Sequence, residues 1–280
     1  MISLSSQPKT IKKEENKATF VIEALYPGYG TTIGNSLRRV LLSSLDGAAI
    51  TQVKIKNVSH EFSTISGIFE DVITIIMNLK QLRFKIFTDE PQKAFLKIKG
   101  EKEVKGKDFE FPSQIELVNK DCHIATLTTK SAELEMEVQI EKGMGYSPKE
   151  DREKGSVSIQ EKLPIGTISV DALFSPVKKV SYEIENMRVG DRTDYDKLFL
   201  EIETDGTITP EEAFQQASKI LVDHFSMIVT SFSEDISISL ESKKIKKGIE
   251  LKNKKKIKEK IKIKKVVDKK NEKTKTRKKI

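Results

Sequence analysis

The chain has 280 residues, 37% of them hydrophobic, with one cysteine and a formal net charge of +8. A single cysteine excludes an internal disulfide, and no apolar run approaches the roughly 20 residues of a membrane span. Residues 241–280 contain 20 Lys and Arg against 5 Asp and Glu, which leaves 30 basic and 37 acidic residues in 1–240, so the positive charge is confined to one end.

A helix is predicted over about residues 31–45. On a helical wheel with about 100° per residue, one stripe contains Ile33, Leu37, Val40, Leu41 and Leu45. The opposite side contains Asn35, Arg38, Arg39 and Leu42. A leucine between arginines, away from the buried stripe, is typical of a contact with a partner protein. A solvated face with one stray leucine is the alternative.

Three glycines precede or open this helix in the pattern Gly28-x-Gly30-x-x-x-Gly34. A glycine-rich turn before a helix can bind phosphate, but the third glycine is displaced from the dinucleotide fingerprint and no Walker lysine follows. We therefore expect the glycines to serve a tight turn and close packing rather than a nucleotide.

The middle of the chain alternates between strands and a second helix, predicted over about 67–80, with Ser66 before it and Glu70 and Asp71 near its start. Alternation of apolar and polar residues predicts strands at 82–86, 132–140 and 180–184. The alternation is less clean in a further strand predicted at 198–202, because Phe199 lies between Leu198 and Leu200. Half-polar strands suit antiparallel sheets with one wet face, so we predict an α+β fold rather than a parallel one.

The third helix is predicted over about 210–231, because Thr209-Pro210-Glu211-Glu212 forms a capping box with proline at the first helical position. Its broad apolar stripe predicts packing on several neighbours or in a dimer interface. After about residue 240, lysines are interrupted by isolated isoleucines. Such a segment cannot offset the entropy of ordering, so a disordered basic tail is predicted over 241–280.

Catalytic and metal-binding patterns are missing from the sequence. His60, His123 and His224 are scattered, and Cys122 beside His123 lacks the spacing of a zinc site. No activated nucleophile has a recognisable context. We predict no catalytic residue, no metal site and no cofactor.

Seven ordered segments resemble one family, the bacterial RNA polymerase alpha subunit. They are GYGTTIGNSLRRVLLSS at 28–44, HEFST at 60–64, ED at 70–71 with NLK at 78–80, GMGY at 143–146, VDA at 170–172 with SPV at 175–177, RTDYDKL at 192–198 and ETDGTI at 203–208. The likeness covers about residues 17–230. It implies two α+β subdomains: a split dimerisation subdomain of 1–50 and 177–235, and an inserted one of 51–176.

The resemblance also implies a function. Such a chain homodimerises and then recruits the beta and beta-prime subunits, which hold the nucleotidyl-transfer site and its magnesium. Carried over by motif, the beta subunit would contact Arg39 and Leu42, with Asn35 and Arg38 on the same face. The beta-prime subunit would contact Lys80 and Val170. The predicted dimer interface contains Leu37, Val40, Leu41, Phe214, Leu221, Phe225 and Ile228.

The chain departs from the family at its end, because the lysine-rich tail is too short and too poor in apolar residues to be the family's compact DNA-binding domain. The tail could hold DNA non-specifically, because many lysines release many counterions. RNA, an acidic protein and no partner at all are the alternatives. A free-standing nucleic-acid-binding protein is the alternative function. We expect a bacterial cytoplasmic protein associated with the nucleoid; the plastid stroma is the alternative.

Overall fold

The structure is a computed structural model that describes residues 5–156 and 166–231. The basic tail predicted over 241–280 lies outside the described residues, so its disorder and its contact with DNA stay predictions. Within the described part of the chain, no helix is both long enough and apolar enough to cross a membrane.

One four-stranded antiparallel sheet combines residues from the beginning and the later part of the chain. It contains β1 (Lys9–Lys13), β2 (Lys17–Leu25), β13 (Val177–Val189) and β14 (Arg192–Thr204), in the order β1-β2-β14-β13. Helix α1 (Tyr29–Ser43) packs on one face, where Leu37 and Leu41 join Leu200 in a buried cluster. We call this sheet the composite sheet.

A second four-stranded antiparallel sheet and several smaller elements lie between β2 and β13 in the sequence. The sheet is formed by β3 (Asp46–Ile55), β5 (Gln92–Lys99), β9 (Glu133–Met144) and β11 (Thr167–Ser169), in the order β11-β3-β9-β5. Two-stranded pairs are β4 (Phe84–Ile86) with β7 (Ile115–Leu117), β6 (Lys102–Lys105) with β8 (His123–Leu127), and β10 (Tyr146–Ser147) with β12 (Ala172–Leu173). The remaining elements here are α2 (Val72–Leu79), a 3₁₀ turn at Gly106–Asp108, and α3 (Lys149–Ser156).

The α+β class and the antiparallel sheets are as predicted. The strand predicted at 132–140 is β9, whose apolar side chains are buried while its glutamates face the other side. Those glutamates pair with lysines; for example Lys56 binds Glu135 with an N···O distance of 2.9 Å. The acidic row is therefore a solvated face with cross-strand ion pairs.

The start predicted for the second helix is wrong by five residues. Helix α2 begins at Val72, and the N-cap is Asp71, whose carboxylate accepts a hydrogen bond from the Thr74 amide at 2.9 Å. Gly67 has φ of +81°, which cannot continue a right-handed helix. Residues 61–70 form an irregular segment of turns and bends with one isolated bridge from Ile68 to Leu127.

A fourth helix, α4, is described over residues 210–231. Its predicted capping box is confirmed: the Glu212 amide donates to Thr209 Oγ1 at 3.3 Å, and the Thr209 amide donates to Glu212 Oε2 at 3.0 Å. Ala213 and Ala217 are buried in the same cluster as Leu41. The first part of α4 therefore packs on the composite sheet together with α1.

Two glycines that pair between β3 and β9 leave the space that Phe174 occupies. Gly47 pairs with Gly143, and a Cβ on Gly143 would lie 2.7 Å from the Phe174 ring. A Cβ on Gly47 would lie 1.7 Å from the Phe174 carbonyl oxygen. The chain passes so close to these strands that only glycine fits at position 47.

Candidate functional site

The amino terminus of α1 is capped by a residue from far along the chain. The amides of Gly28 and Gly30 both donate to Asp196 Oδ2, each at 2.9 Å. The Asp196 side chain is buried against Gly30, where an added Cβ would clash with the carboxylate at 2.9 Å. The carboxylate accepts hydrogen bonds from the amides that a phosphate would need. Gly28 has φ of +84° in the turn before α1, and Gly30 packs closely against Asp196, which agrees with the predicted turn and close packing.

We call the surface of Asn35, Arg38, Arg39 and Leu42 the α1 outer face. All four side chains are exposed, and Leu42 retains 37% of its accessible surface. The wheel correctly separated this surface from the buried side of the helix. It combines an apolar side chain with two guanidinium groups, which can each bind two acceptors at once.

The buried side of α1 has little surface left for another chain. Leu41 is 0% exposed and Leu37 is also buried, whereas Val40 is half-buried. Leu37 and Leu41 therefore build the core of this chain, and their side chains can contribute little to a dimer interface directly.

Lys80 ends α2 and meets the segment that follows β11. Its ammonium lies 3.4 Å from Asp171 Oδ2, and the Lys149 amide donates to Asp171 Oδ1 at 3.1 Å. These two groups, the amide first, hold the pKa of Asp171 below its ordinary value against the opposing effect of burial. We call Lys80, Asp171, Lys149 and Tyr146 the Lys80 cluster.

Val170 precedes Asp171, the residue that pairs with Lys80, but Val170 itself is only 4% exposed. Its amide donates to the Thr51 carbonyl at 2.9 Å, and its own carbonyl accepts from Arg152. Val170 therefore supports the position of Asp171 rather than offering a side chain to a partner.

Residues 145–146 come close to both α1 and the Lys80 cluster. The Ser43 carbonyl, next to Leu42, lies 3.2 Å from where a Cβ on Gly145 would stand. Partial desolvation and then the nearby Asp171 carboxylate raise the pKa of Tyr146. Residues 145–146 therefore lie between the end of α1 and Asp171 of the Lys80 cluster.

The end of β9 and strands β10 and β12 expose apolar side chains that the sequence analysis did not assign to any role. They are Met144, Tyr146 and Leu173, and Tyr146 pairs with Leu173 between β10 and β12. The signal in the sequence was the GMGY motif itself. Its methionine and tyrosine alternate with glycines at the end of a strand, where the neighbouring residues in the sequence offer no apolar side chains to bury them. Asp171 was missed for another reason: nothing in the sequence indicates that it meets Lys80.

A second exposed apolar surface lies on residues 222–231 of α4. It contains Phe225, which is 62% exposed, and Val222, Met227, Ile228 and Val229. Earlier in the helix, Phe214 and Leu221 are half-buried against the core. An exposed row of this size marks an interaction surface.

The histidine with the most polar contacts is structural. His123 Nε2 lies 2.9 Å from Glu70 Oε1, and the Thr126 amide donates to Glu70 Oε2 at 2.6 Å. Burial alone would raise the pKa of Glu70, but hydrogen bonds from Thr126 and His123 outweigh it and hold the pKa below its ordinary value. Over residues 5–156 and 166–231, no group of three or more His, Cys, Asp and Glu side chains is placed to hold a metal ion.

The low pKa of Glu70 predicts that this residue contributes to the loss of folding stability in acid. The stabilisation from ionised Glu70 is complete above the ordinary pKa of 4.5 and is lost as the pH falls through the lower, folded-state value. The free energy of unfolding of Glu70→Gln should therefore fall less than that of the native chain between about pH 5 and 3. Urea unfolding at stepped pH measures this. Glu116→Gln, on an exposed strand position, should keep the native pH dependence.

Comparison with known proteins is consistent with this geometry. Residues 53–175 match the family model described as the RNA polymerase Rpb3/RpoA insert domain. The DNA-directed RNA polymerase subunit alpha of Oceanobacillus iheyensis is 43% identical over 243 residues, covering 85% of this chain and 75% of that protein. The chain belongs to the family of DNA-directed RNA polymerase alpha subunits.

Other members of the alpha-subunit family match over a similar span. The protein of Roseiflexus castenholzii is 45% identical and covers 86% of this chain and 72% of its own length. That of Symbiobacterium thermophilum is 47% identical over 225 residues, which cover 80% of this chain and 69% of that protein. Family membership does not favour the alternative of a free-standing nucleic-acid-binding protein.

Proposed function

We propose that this chain acts as the assembly subunit of a DNA-dependent RNA polymerase. Two copies dimerise, and the dimer recruits the beta and beta-prime subunits. The observation that carries the proposal is the family membership together with the exposed α1 outer face. In this proposal the chain has no catalytic residue and no cofactor, and the large subunits of a bacterial, cytoplasmic enzyme supply nucleotidyl transfer and its magnesium.

The beta subunit is proposed to bind the α1 outer face, with Arg39 and Leu42 at its centre and Asn35 and Arg38 beside them. The exposure of all four side chains on a helix whose other side is buried supports this. Because α1 is held at its amino terminus by Asp196 and along its length by the core, the outer face is rigid before a partner arrives. A preorganised surface loses less entropy on binding.

The beta-prime subunit is proposed to bind the Lys80 cluster, with Lys80 as the charged contact and Val170 as its support. Each protomer of a dimer presents this cluster and the α1 outer face. One large subunit per protomer is the simplest arrangement that such a repeated surface allows.

The dimer is proposed to form through Phe225 and Ile228 of α4; the other predicted contacts are Phe214, Leu221 and Val40. The exposed apolar side chains at 222–229 support this, because a second copy would bury them. Leu37 and Leu41 would act indirectly, by holding α1 on the sheet. We further propose that 1–50 with 177–235 forms the dimerisation subdomain, and that 51–176 is inserted into it; the composite sheet supports this division.

Replacing Arg39 with alanine is expected to weaken binding of the beta subunit about 30-fold, the typical loss at an arginine hot spot of about 2 kcal/mol. Co-purification and titration with purified beta measure this. The variant must unfold like the native chain and sediment at twice the monomer mass.

Arg188→Ala is the matched control, since Arg188 is exposed at the turn between β13 and β14 and donates to the Gly190 carbonyl. It should bind beta at the native level. Native-level binding of beta by the folded, dimeric Arg39→Ala variant would overturn the assignment. A native chain that sediments as a monomer would overturn the dimer.

A further inference from the structure

Arg83 lies just after α2 and joins the end of that helix to a distant loop. One of its terminal nitrogens donates to the Lys80 carbonyl at 2.8 Å and to the Leu82 carbonyl at 3.0 Å. Its Nε lies 3.4 Å from Asp205 Oδ2. Arg83 therefore contacts the backbone of Lys80 and a residue that follows β14 in the composite sheet.

Asp205 is the other end of this connection, and its side chain is only 5% exposed. Its Oδ1 accepts hydrogen bonds from the Thr207 amide at 2.9 Å and from the Thr207 hydroxyl at 2.5 Å. Its own amide donates to the Pro176 carbonyl at 3.0 Å. These contacts fix the loop immediately before Thr209, the residue that caps α4.

A second, weaker link runs in parallel. Lys85 of β4 lies close enough to Glu212 to lower the pKa of that carboxylate, after the larger effect of the hydrogen bonds from Thr209. Beside it, Val118 is in contact range of a Cβ built on Gly206, at 3.3 Å. The region that contains Lys80 therefore approaches the start of α4 and the loop before it at several points, and Arg83 contacts both the Lys80 carbonyl and Asp205 in that loop.

We propose that Arg83 is a positioning residue that couples binding of the beta-prime subunit at the Lys80 cluster to pairing of two copies of the chain through α4. The inference rests on the proposed function. A partner that fixes Lys80 also fixes the Lys80 carbonyl, the guanidinium bound to it, and the Asp205 loop that starts α4. Pairing through α4 holds the helix that follows this loop.

Such a coupling is reciprocal: large subunits that tighten the dimer must themselves bind more tightly to the dimer by the same factor. Arginine suits the role, since its planar fork can hold a carbonyl and a carboxylate together, which a single ammonium cannot do in the same geometry. Arg83→Lys should accordingly retain the fold and lose most of the coupling.

The experiment measures the dimer dissociation constant of the whole chain, by subunit exchange, with and without saturating beta and beta-prime subunits. For the native chain, the large subunits are expected to lower this constant. For Arg83→Met that decrease should be about tenfold smaller, a typical size for coupling between sites. The constant without large subunits should stay within about threefold of native, because Arg83 lies outside the proposed interface.

Asp205→Asn removes the negative charge that pairs with Arg83 and keeps an oxygen that accepts from Thr207. This variant should therefore reproduce the loss of coupling even if Arg83→Met folds poorly. The double variant should lose no more than either single variant. Lys107→Met, which removes an exposed charge from the same region, should keep the native coupling. Coupling within twofold of native in both Arg83→Met and Asp205→Asn overturns the inference. A native chain that neither dimerises nor binds the large subunits overturns the proposed function instead.

Discussion

Replacing Gly47 with alanine is expected to lower the free energy of unfolding by about 3 kcal/mol or more, at the upper end of the cost of overpacking. The new Cβ would stand 1.7 Å from the Phe174 carbonyl oxygen, and a backbone atom cannot rotate away as a side chain can. Either β3 or the segment at Phe174 has to move. Urea unfolding followed by circular dichroism measures the loss.

Two further variants separate this clash from other effects of removing a glycine. Gly190→Ala has open space around it but a φ of +63°, so it should cost about 1–2 kcal/mol. Gly143→Ala clashes with the Phe174 ring rather than with backbone, so Phe174→Leu should partly rescue it and should not rescue Gly47→Ala. A Gly47→Ala variant within about 1 kcal/mol of native would contradict the close approach.

Replacing Asp196 with alanine is expected to cost about 2–4 kcal/mol, because it leaves the buried amide of Gly30 and the part-buried amide of Gly28 without their acceptor. Asp196→Asn retains an oxygen and should cost less. Since α1 carries the proposed beta contact, Asp196→Ala should also weaken binding of the beta subunit. Thermal unfolding and titration with beta measure the two effects.

Asp194→Ala is the matched control for this experiment. Asp194 lies two residues away on the same strand, is exposed, and pairs with Arg192 at 2.6 Å. Exposed ion pairs contribute about 1 kcal/mol or less, so this variant should remain close to native in stability. Equal losses for Asp194→Ala and Asp196→Ala would show that the cap has no special role.

The sequence predicted those features that depend on residues close together in the chain. The periodicity of α1 separated Leu41 from Leu42, and the motif before α4 identified the capping box, because both follow from local geometry. The start of α2 was wrong for a local reason too: Gly67 and Asp71 were the better signals, and Ser66 was given more weight.

Features that depend on distant residues could not be derived from periodicity or spacing. Asp196 caps a helix that begins at Tyr29, and Asp205 meets Arg83, but nothing near either aspartate in the sequence indicates its partner. The position of residues 145–146 between the end of α1 and Asp171 depends on the same kind of contact. The resemblance supplied the order of the segments, and the structure was needed to show which of them touch.

The composite sheet has a consequence for the order of folding. Phe20 of β2 pairs with Leu200 of β14, so most of the chain is synthesised before the two strands can meet. Contacts this distant in sequence form slowly, whereas the residues between them can bury their own core first. During synthesis the apolar face of β2 and the buried side of α1 therefore remain uncovered until β14 has been made. In this interval the nascent chain is most exposed to aggregation or to capture by a chaperone.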